Sequence, residues 1–275
     1  MPSVLVTGAG RGIGRTIAEE LAKRGWEVIA GVRSASDVAA VGAAHERITG
    51  VLLDVTDEEQ LAALDAALPS RLDAVVNNAG IVVAGPMETV TTEGWRKQLD
   101  VNVIGQLAVT RAVLPRLRES HGRVVFISSV NGRLSTPLTG AYAASKFALE
   151  AAADALRMEL APWRVPVVLV EPAQTDTDMW RTADTMVSEV EAGLTPQYRE
   201  LYARHVAGMR RSVPISQRLA VAPETVADVV STALTSRRPR PRYVVGLGPK
   251  AQVALLTHIP TALRDRLLRV VMRQP

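Results

Sequence analysis

Tyr142 and Lys146 are the two residues whose types and spacing carry the clearest chemistry in this sequence. Residues four apart lie one turn apart on a helix, so their side chains share a face. A lysine charge near a phenol favours the phenolate and lowers the tyrosine pKa from about 10. A tyrosine tuned in this way exchanges a proton with a carbinol. Ser129 ends a predicted strand upstream, where its hydroxyl is placed to hydrogen-bond the substrate oxygen.

A glycine-rich turn separates the first predicted strand from the first predicted helix, with the sequence Thr7-Gly8-Ala9-Gly10-Arg11-Gly12-Ile13-Gly14. Glycines let the backbone turn sharply and approach a pyrophosphate, whose charge is met by the helix N-terminus. The spacing departs from G-x-G-x-x-G, because Ile13 stands where that fingerprint has its last glycine. Such a turn alone is a weak signal, but its place after the first strand of a parallel sheet predicts phosphate binding.

The end of the second predicted strand indicates which dinucleotide is bound. NAD-binding proteins place an acid about 20 residues beyond the glycines to hold the ribose 2′-hydroxyl, whereas this stretch reads Ala30-Gly31-Val32-Arg33-Ser34. Arg33 offers a planar fork to a 2′-phosphate, and Arg11 is placed to reach the same group. The sequence therefore predicts NADP(H) as cofactor, against the plainer reading of two surface arginines.

Two further stretches follow predicted strands at the same edge of the sheet. Asp54 follows the third strand and is placed to accept a hydrogen bond from an adenine amino group, although a lone Asp there is more often a turn residue. The stretch Asn77-Asn78-Ala79-Gly80 follows the fourth strand, and its small residues leave room for a flat ligand. We therefore predict cofactor contacts at Asp54, Val55, Asn78, Ala79 and Gly80.

Apolar runs alternate with amphipathic segments along most of the chain. Strands are predicted at residues 3–7, 26–32, 48–53, 74–77, 124–128, 165–170 and 243–245. Helices are predicted over 13–24, 58–68, 93–118, 143–160 and 222–235. The strands are continuously apolar, as required where helices cover both faces of a parallel sheet. We predict an α/β fold: one domain, residues 1–275, with a Rossmann-type, doubly wound parallel sheet.

The predicted domain has a cofactor half over about 1–120 and a catalytic and substrate half over about 121–247. Residues 176–220 predict a helical cap, whose larger apolar side chains either wall a substrate pocket or simply pack the cap: Met179, Trp180, Met186, Val187, Leu194, Tyr198, Leu201 and Tyr202. The C-terminal extension, residues 248–275, is amphipathic and interrupted by Pro260. It either packs on its own domain or makes weak contact with an anionic membrane surface.

The composition narrows the classes of function. The 275 residues include no cysteine, which excludes disulfides, thiolate metal sites and cysteine nucleophiles and fits a reducing cytoplasm. The N-terminus lacks the basic start and apolar run of a signal peptide. We attribute the net charge of +4 to basic residues on a solvated surface, so no nucleic-acid partner is predicted. No metal site is predicted either.

These motifs resemble, in order and spacing, the short-chain dehydrogenase/reductase family over residues 3 to about 178, and less specifically to 245. The matching positions are Gly8, Gly12, Gly14, residues 77–80, Asn102, Ser129, Tyr142 and Lys146. The resemblance implies an oxidoreductase of CH–OH groups and a homodimer paired through helices around 93–118 and 143–160. It also implies that Asn102 lies in a kinked helix and holds a water that links the lysine to solvent, while Lys146 binds the nicotinamide ribose.

The sequence departs from the family after the sixth strand. The family usually has Pro-Gly and then a threonine that contacts the nicotinamide carboxamide, whereas this chain has Pro172, Ala173 and then Thr177. Because alanine disfavours positive φ, we expect a different local backbone, with cofactor contacts still made by Pro172 and Thr177. Val32-Arg33, Glu171-Pro172 and the C-terminal extension resemble the branch of retinol and hydroxysteroid dehydrogenases. That branch implies an apolar secondary alcohol, ketone or aldehyde as substrate.

Other functions share part of this pattern. A 3-oxoacyl-thioester reductase uses the same four catalytic residues. A non-catalytic NADP(H)-binding sensor keeps the fold but has no need for Asn102, Ser129, Tyr142 and Lys146 together, so their presence argues against it. A sugar epimerase usually has a different glycine spacing and a larger substrate domain.

Overall fold

A seven-stranded parallel sheet forms the centre of the protein, seen in a computed structural model that describes residues 1–177 and 183–275. The strands are β1 (Ser3–Thr7), β2 (Glu27–Val32), β3 (Ile48–Leu52), β4 (Ala74–Asn77), β5 (Arg123–Ile127), β6 (Val167–Glu171) and β7 (Arg242–Val244). Their order across the sheet is β3-β2-β1-β4-β5-β6-β7, and every neighbouring pair is parallel. The predicted Rossmann-type, doubly wound fold is confirmed.

Helices follow the strands and cover both faces of the sheet. Those described are α1 (Gly12–Lys23), α2 (Ala35–Gly42), α3 (Glu58–Ala67), α4 (Thr92–Leu99), α5 (Gln106–Ser120), α6 (Gly140–Glu159), α7 (Ala183–Gly193), α8 (Pro196–Arg218), α9 (Pro223–Thr235), α10 (Leu247–Leu256) and α11 (Thr261–Val271). Strand residues alternate between the two layers, since successive side chains point to opposite faces. On β1, Val4 and Val6 pack with α1 and α9, while Leu5 packs with α3, α5 and α6.

The prediction of one uninterrupted helix over residues 93–118 is wrong. Helix α4 ends at Leu99 and α5 begins at Gln106, and Asp100–Gly105 between them is a π-helical segment. Such segments interrupt the regular hydrogen-bond ladder and are a recognised cause of helix kinks. Asn102 lies inside this segment. The interruption therefore falls where the family resemblance implied a kinked helix.

The described part of the cap consists of α7 and α8. Val187, Leu194, Val206 and Met209 form a small buried cluster with Leu138 of the main domain. This packing favours the plainer of the two readings for the cap, in which its apolar side chains hold it on the core. Two residues of the predicted pocket wall, Met179 and Trp180, lie outside the described residues.

The C-terminal extension folds as α10 and α11, with Pro260 at the N-cap position of α11. Val253 and Leu256 of α10 and Leu268 of α11 are buried with Leu134. One side of the extension therefore packs on its own domain. Within the described residues, no helix is both long enough and apolar enough to span a bilayer.

Candidate active site

The glycine-rich turn lies beside the point where the strand order reverses, between β1 and β4. Gly8 and Gly12 have φ angles of +64° and +55°, which residues with side chains rarely adopt. A Cβ on Gly14 would stand 2.3 Å from both the Asn78 amide nitrogen and the Gly8 carbonyl oxygen. The turn therefore requires glycine at these positions. Without side chains there, its backbone leaves space for an anion at the N-terminus of α1.

Asn78 ties the glycine turn to the end of β4. Its side-chain nitrogen donates to the carbonyl oxygens of Thr7 and Gly8 at 3.0 and 3.2 Å. In return, Thr7 Oγ1 accepts from the backbone nitrogens of Asn78 and Ala79 at 3.0 and 3.1 Å. These four bonds fix the distance between two walls of the crevice at the switch point, where doubly wound folds bind their ligands.

A cavity of about 580 Å³ lies at this edge of the sheet. Ser129 lines it, whereas Asn102 is fully buried behind its wall. All residues predicted to contact the cofactor also line it: Gly8, Arg11, Gly12, Ile13, Gly14, Arg33, Asp54, Val55, Asn78, Ala79, Gly80, Tyr142, Lys146, Pro172 and Thr177. The structure therefore brings the predicted set to one place.

The shape and lining of this cavity fit a dinucleotide. Its volume lies within the range of about 300–1,000 Å³ that is usual for small-molecule sites. The glycine turn and the N-terminus of α1 suit a pyrophosphate. Arg11 and Arg33 would face the adenosine side, since they follow β1 and β2, whereas Tyr142 and Lys146 would face the nicotinamide side. A bound nicotinamide dinucleotide would supply the hydride that the protein's own side chains cannot.

The adenosine side contains an acid that the sequence analysis missed. Asp37 lines the cavity together with Arg11 and Arg33, which are both exposed. Its Oδ2 lies 3.5 Å from the position that a Cβ on Gly10 would take. The end of β2 itself carries no acid, but Asp37 lies five residues after Val32, in the first turn of α2. A carboxylate there opposes the arginines in attracting a 2′-phosphate.

Asp54 takes part in a local turn as well as lining the cavity. Its Oδ1 accepts from the backbone nitrogen of Thr56 at 2.9 Å and from Thr56 Oγ1 at 2.7 Å. This is the turn role that a lone Asp after a strand usually has. Because Oδ1 accepts both of these bonds, Oδ2 would be the oxygen that contacts adenine.

Ser129, Tyr142 and Lys146 meet on the wall of the cavity. Ser129 follows β5, and its Oγ accepts from the backbone nitrogen of Asn131 at 3.1 Å. Tyr142, in the first turn of α6, lies near Ser129, whose hydroxyl acts on the phenol. One turn later, Lys146 Nζ lies 5.9 Å from the centre of the tyrosine ring and donates to the Ile127 carbonyl oxygen at 2.8 Å. The spacing predicted from sequence thus produces one cluster.

The pKa of Tyr142 differs in direction from the sequence-based expectation. Burial raises it, and the influence of the Ser129 hydroxyl acts in the opposite direction without cancelling the rise. Lys146 is buried too, which lowers its own pKa to about 8 although the charge of Glu150 acts to raise it. The net direction is therefore opposite to the expected one, because burial of the phenol outweighs the influence that lowers its pKa.

A ladder of buried polar side chains supports the loop that forms one cavity wall. Buried side chains four residues apart on the α4–π–α5 stretch bond to every second residue of the segment 77–83. The bonded pairs are Gln98 Oε1 with Val83 N (2.6 Å), Asn102 Oδ1 with Ile81 N (2.8 Å), Gln106 Nε2 with Ala79 O (2.6 Å) and Thr110 Oγ1 with Asn77 Nδ2 (2.9 Å). Of these four, the sequence analysis singled out Asn102 alone, although their regular spacing is visible in the sequence.

Asn102 also reaches the helix that carries Tyr142. Its Nδ2 donates to Ser145 Oγ at 3.1 Å, and Ser145 Oγ donates to the Tyr142 carbonyl oxygen at 2.7 Å. The π segment is thereby connected to the backbone of the tyrosine. The water-holding role that the family resemblance implied for Asn102 stays a prediction.

Ala173 is accommodated without strain where the family usually has glycine. It is not among the described residues with positive φ. Thr177 Cγ2 lies 3.5 Å from the position of a Cβ on Gly12, which places this threonine beside the glycine turn. Pro172 and Thr177 line the cavity as predicted, although Ala173 stands where the family usually has glycine.

Two buried acids near the site were not recognised from sequence. Glu171 ends β6 and is fully buried, with Oε1 at 3.4 Å from Arg242 Nε and 3.6 Å from Arg133 Nη1. Arg242 Nε also donates to Glu150 Oε2 at 2.9 Å. Burial and then the charge of Glu150 raise the pKa of Glu171 to about 7, in spite of both arginines. Glu150 lies one turn after Lys146 on α6, so this cluster acts on the charge of the lysine.

Comparison with known proteins identifies the family. The family model for short chain dehydrogenases matches residues 2–188. The chain belongs to the short-chain dehydrogenase family. The resemblance drawn from the sequence motifs is therefore confirmed, and this short-chain dehydrogenase is an oxidoreductase of a family that binds nicotinamide cofactors.

Similar proteins share nearly the whole length of this short-chain dehydrogenase. It is 36% identical over 272 residues to the uncharacterized oxidoreductase YbbO of Escherichia coli K12, covering 97% of this chain and 94% of that one. It is 32% identical over 287 residues to retinol dehydrogenase 5 of Mus musculus, covering 99% and 89%. A short chain dehydrogenase from Burkholderia cenocepacia, solved in complex with NADP, superposes with a TM-score of 0.76 at 28% identity, covering 97% of each chain.

Proposed function

We propose that this protein transfers a hydride between NADP(H) and an apolar secondary alcohol, ketone or aldehyde, with Tyr142 as general acid and base. One observation carries the proposal. Ser129, Tyr142 and Lys146 line the same cavity as the glycine turn and Arg33. A proton-transferring phenol and a dinucleotide cradle therefore share one enclosure, as hydride transfer with coupled proton transfer requires.

Each catalytic side chain has a distinct part in this proposal. In reduction, the Tyr142 hydroxyl gives its proton to the substrate oxygen, and in oxidation the phenolate receives it. Ser129 Oγ orients that oxygen. Lys146, whose pKa of about 8 keeps it mainly protonated at neutral pH, restores the proton and holds the cofactor ribose. A raised tyrosine pKa suits the acid role, because it keeps the phenol protonated.

The preference for NADP(H) rests on the adenosine side of the cavity. Val32 provides no carboxylate at the end of β2, and Arg11 and Arg33 offer two guanidinium groups to a 2′-phosphate. The similar structure from Burkholderia cenocepacia was solved with NADP. Asp37 weakens this preference, since its carboxylate lines the same part of the cavity.

An apolar substrate is supported by a second cavity that adjoins the main one. A second cavity of about 390 Å³ shares Val82 with the main one, and Val83, Val90 and Met186 contribute to its lining. Aliphatic walls favour apolar ligands, and methionine adapts to irregular ones. Relatives such as retinol dehydrogenase 5 of Mus musculus carry an apolar alcohol in their name.

A panel of substrates tests this function. The purified protein is mixed with NADPH or NADH and with ketones and aldehydes of increasing apolar size, and oxidation of the cofactor is followed by absorbance. A 3-oxoacyl thioester is included as a separate arm. We expect turnover with NADPH and apolar ketones. Turnover of the thioester alone would replace the proposed substrate class, and cofactor binding with no turnover on any arm would favour a sensor.

We also propose that the protein is a homodimer of the cytoplasm. The dimer is supported by apolar side chains exposed on the helices that the family resemblance implied would pair. Ile104 of the π segment is 60% exposed, and Phe147 and Met158 of α6 are also exposed. Exposed large apolar groups favour association where they form a patch. The cytoplasmic assignment rests on the composition alone.

A further inference from the structure

The positive charge of this protein is concentrated in the C-terminal extension, residues 248–275. Five of the 32 basic residues and one of the 28 acidic residues lie there, so residues 1–247 hold 27 of each. The basic residues are Lys250, Arg264, Arg266, Arg269 and Arg273. The whole net charge of +4 is therefore carried by a tenth of the chain. A solvated surface without a partner has no need of such a concentration.

Exposed apolar side chains are concentrated in the same segment. The described residues expose sixteen large hydrophobic side chains, and five of them belong to the extension: Leu255, Leu263, Leu267, Val270 and Val271. Leu247, just before it at the start of α10, is 85% exposed. The extension thus combines two kinds of side chain that rarely share a surface facing water alone.

Helix α11 has two apolar faces, and one of them is covered by the protein itself. Leu268 points into the domain and is buried with Val253 and Leu256. Leu263, Leu267 and Val270 follow the spacing of a single helical face, which is turned away from Leu268 and exposed. Core packing therefore explains the inner face and leaves the outer stripe unexplained.

Arginines border the exposed stripe of α11. At 100° per residue, Arg266 falls on one side of Leu263, Leu267 and Val270, and Arg264 falls on the other. Asp265 is the one acid of the helix, and it lies on neither border. An apolar stripe with basic borders is the pattern of helices that lie in the plane of a lipid interface.

We propose that the outer face of α11 docks this protein on an anionic phospholipid bilayer. The apolar stripe enters the boundary between headgroups and acyl chains, and the arginines contact lipid phosphates. A second copy of the chain fits less well, because a two-fold contact through this face would place one set of arginines against the other. The proposal does not depend on the substrate or the cofactor.

Vesicle flotation with the full-length protein tests this surface. We expect the protein to float with vesicles of phosphatidylcholine and phosphatidylglycerol at low salt, and to float at least about tenfold less with phosphatidylcholine alone or at high salt. The double variant Leu267→Glu/Val270→Glu should lose flotation. Leu219→Glu is the matched control, since Leu219 is 71% exposed but lies outside the extension, and it should float like the wild type.

Several outcomes would overturn the proposal. These are no flotation with either vesicle, equal flotation with both, or equal losses in the double variant and the Leu219→Glu control. Light scattering tests the remaining alternative, in which this face binds a second copy of the chain. A change from dimer to monomer in Leu267→Glu/Val270→Glu, with no vesicle binding by the wild type, would assign this face to a second copy of the chain. Circular dichroism verifies that each variant is folded.

Discussion

Asn102 and Ile81 exchange two hydrogen bonds, with Asn102 Oδ1 accepting from Ile81 N at 2.8 Å and Nδ2 donating to Ile81 O at 3.0 Å. The pair belongs to the ladder that joins every fourth residue of the α4–π–α5 stretch to every second residue of the segment 77–83. The ladder therefore ties residues 77–83, several of which line the cavity, to the buried helical stretch.

Removing this pair should destabilise the fold. In Asn102→Leu the Ile81 carbonyl keeps its bond from Gln98 Nε2 at 2.9 Å, but the Ile81 N–H loses its acceptor. One unsatisfied buried group costs about 1–3 kcal/mol of unfolding free energy. Asn102→Asp retains the acceptor and should cost less. Urea denaturation measures both, and a loss in Asn102→Leu below about 0.5 kcal/mol, the scale of an ordinary surface substitution, would contradict this role.

Arg33 and Asp37 should affect cofactor choice in opposite directions. Arg33→Ala should weaken NADPH binding by about 1.5–3 kcal/mol, the scale of a charged hydrogen bond, and leave NADH nearly unchanged. Asp37→Asn removes a negative charge from the same side of the cavity and should strengthen NADPH binding. Fluorescence titration with both cofactors measures these changes. Equal losses for NADPH and NADH in Arg33→Ala would remove the basis for the NADP(H) preference.

Glu171 should give the stability of the protein a specific pH dependence. Its pKa is raised from 4.5 to about 7 in the folded state, so between these values the folded protein binds more protons than the unfolded chain. Glu171 therefore adds to the free energy of unfolding at low pH, and this contribution is lost as pH rises through 7. Glu171→Gln lacks this dependence. Its melting temperature relative to wild type should be higher at pH 8 than at pH 5, and a constant difference would show that Glu171 does not titrate in this range.

Phe147 should contribute to association if α6 forms part of a dimer interface. Placing a charge in an apolar contact leaves it buried without a partner, so Phe147→Glu should shift the protein to monomer. Leu201→Glu is the control, since Leu201 is also exposed but belongs to the cap. Light scattering at micromolar concentration distinguishes these results. A wild-type protein that is already monomeric would disprove the proposed dimer.

The sheet could be predicted from sequence because its strands are continuously apolar and its helices amphipathic. The residues around the cavity could be predicted because parallel strands end at one edge, so motifs far apart in sequence converge there. The π segment could not, since the pattern of residues 93–118 is that of a regular helix. Glu171 was missed because a lone acid at a strand end resembles a surface residue, and its burial depends on Arg133 and Arg242, which are distant in sequence.

The raised pKa of Tyr142 was missed for a similar reason. Its spacing from Lys146 indicates that the two share a helix face, but not that Lys146 Nζ bonds to the Ile127 carbonyl. Burial of the phenol depends on the assembled cavity. The direction of a pKa shift therefore needs the packed structure, whereas the convergence of these side chains on one cavity could be predicted.

Two variants separate the roles of the residues around Tyr142. Ser129→Ala should lower turnover and leave cofactor affinity nearly unchanged, because the serine is placed to orient substrate. Lys146→Met should lower both, because the lysine is expected to contact the cofactor ribose as well as to supply the proton. Turnover and cofactor titration together distinguish these patterns. Equal effects of the two variants on cofactor affinity would contradict the assignment.

Turnover of Tyr142→Phe tests the central claim most directly. The substitution removes one oxygen and keeps the ring that lines the cavity, so the variant should fold normally and bind NADPH with wild-type affinity. With a good ketone substrate from the panel, its kcat should fall at least about 100-fold, the low end of the range for general acid–base catalysis. A variant that binds NADPH and retains more than about a tenth of wild-type kcat would show that Tyr142 is not the proton donor.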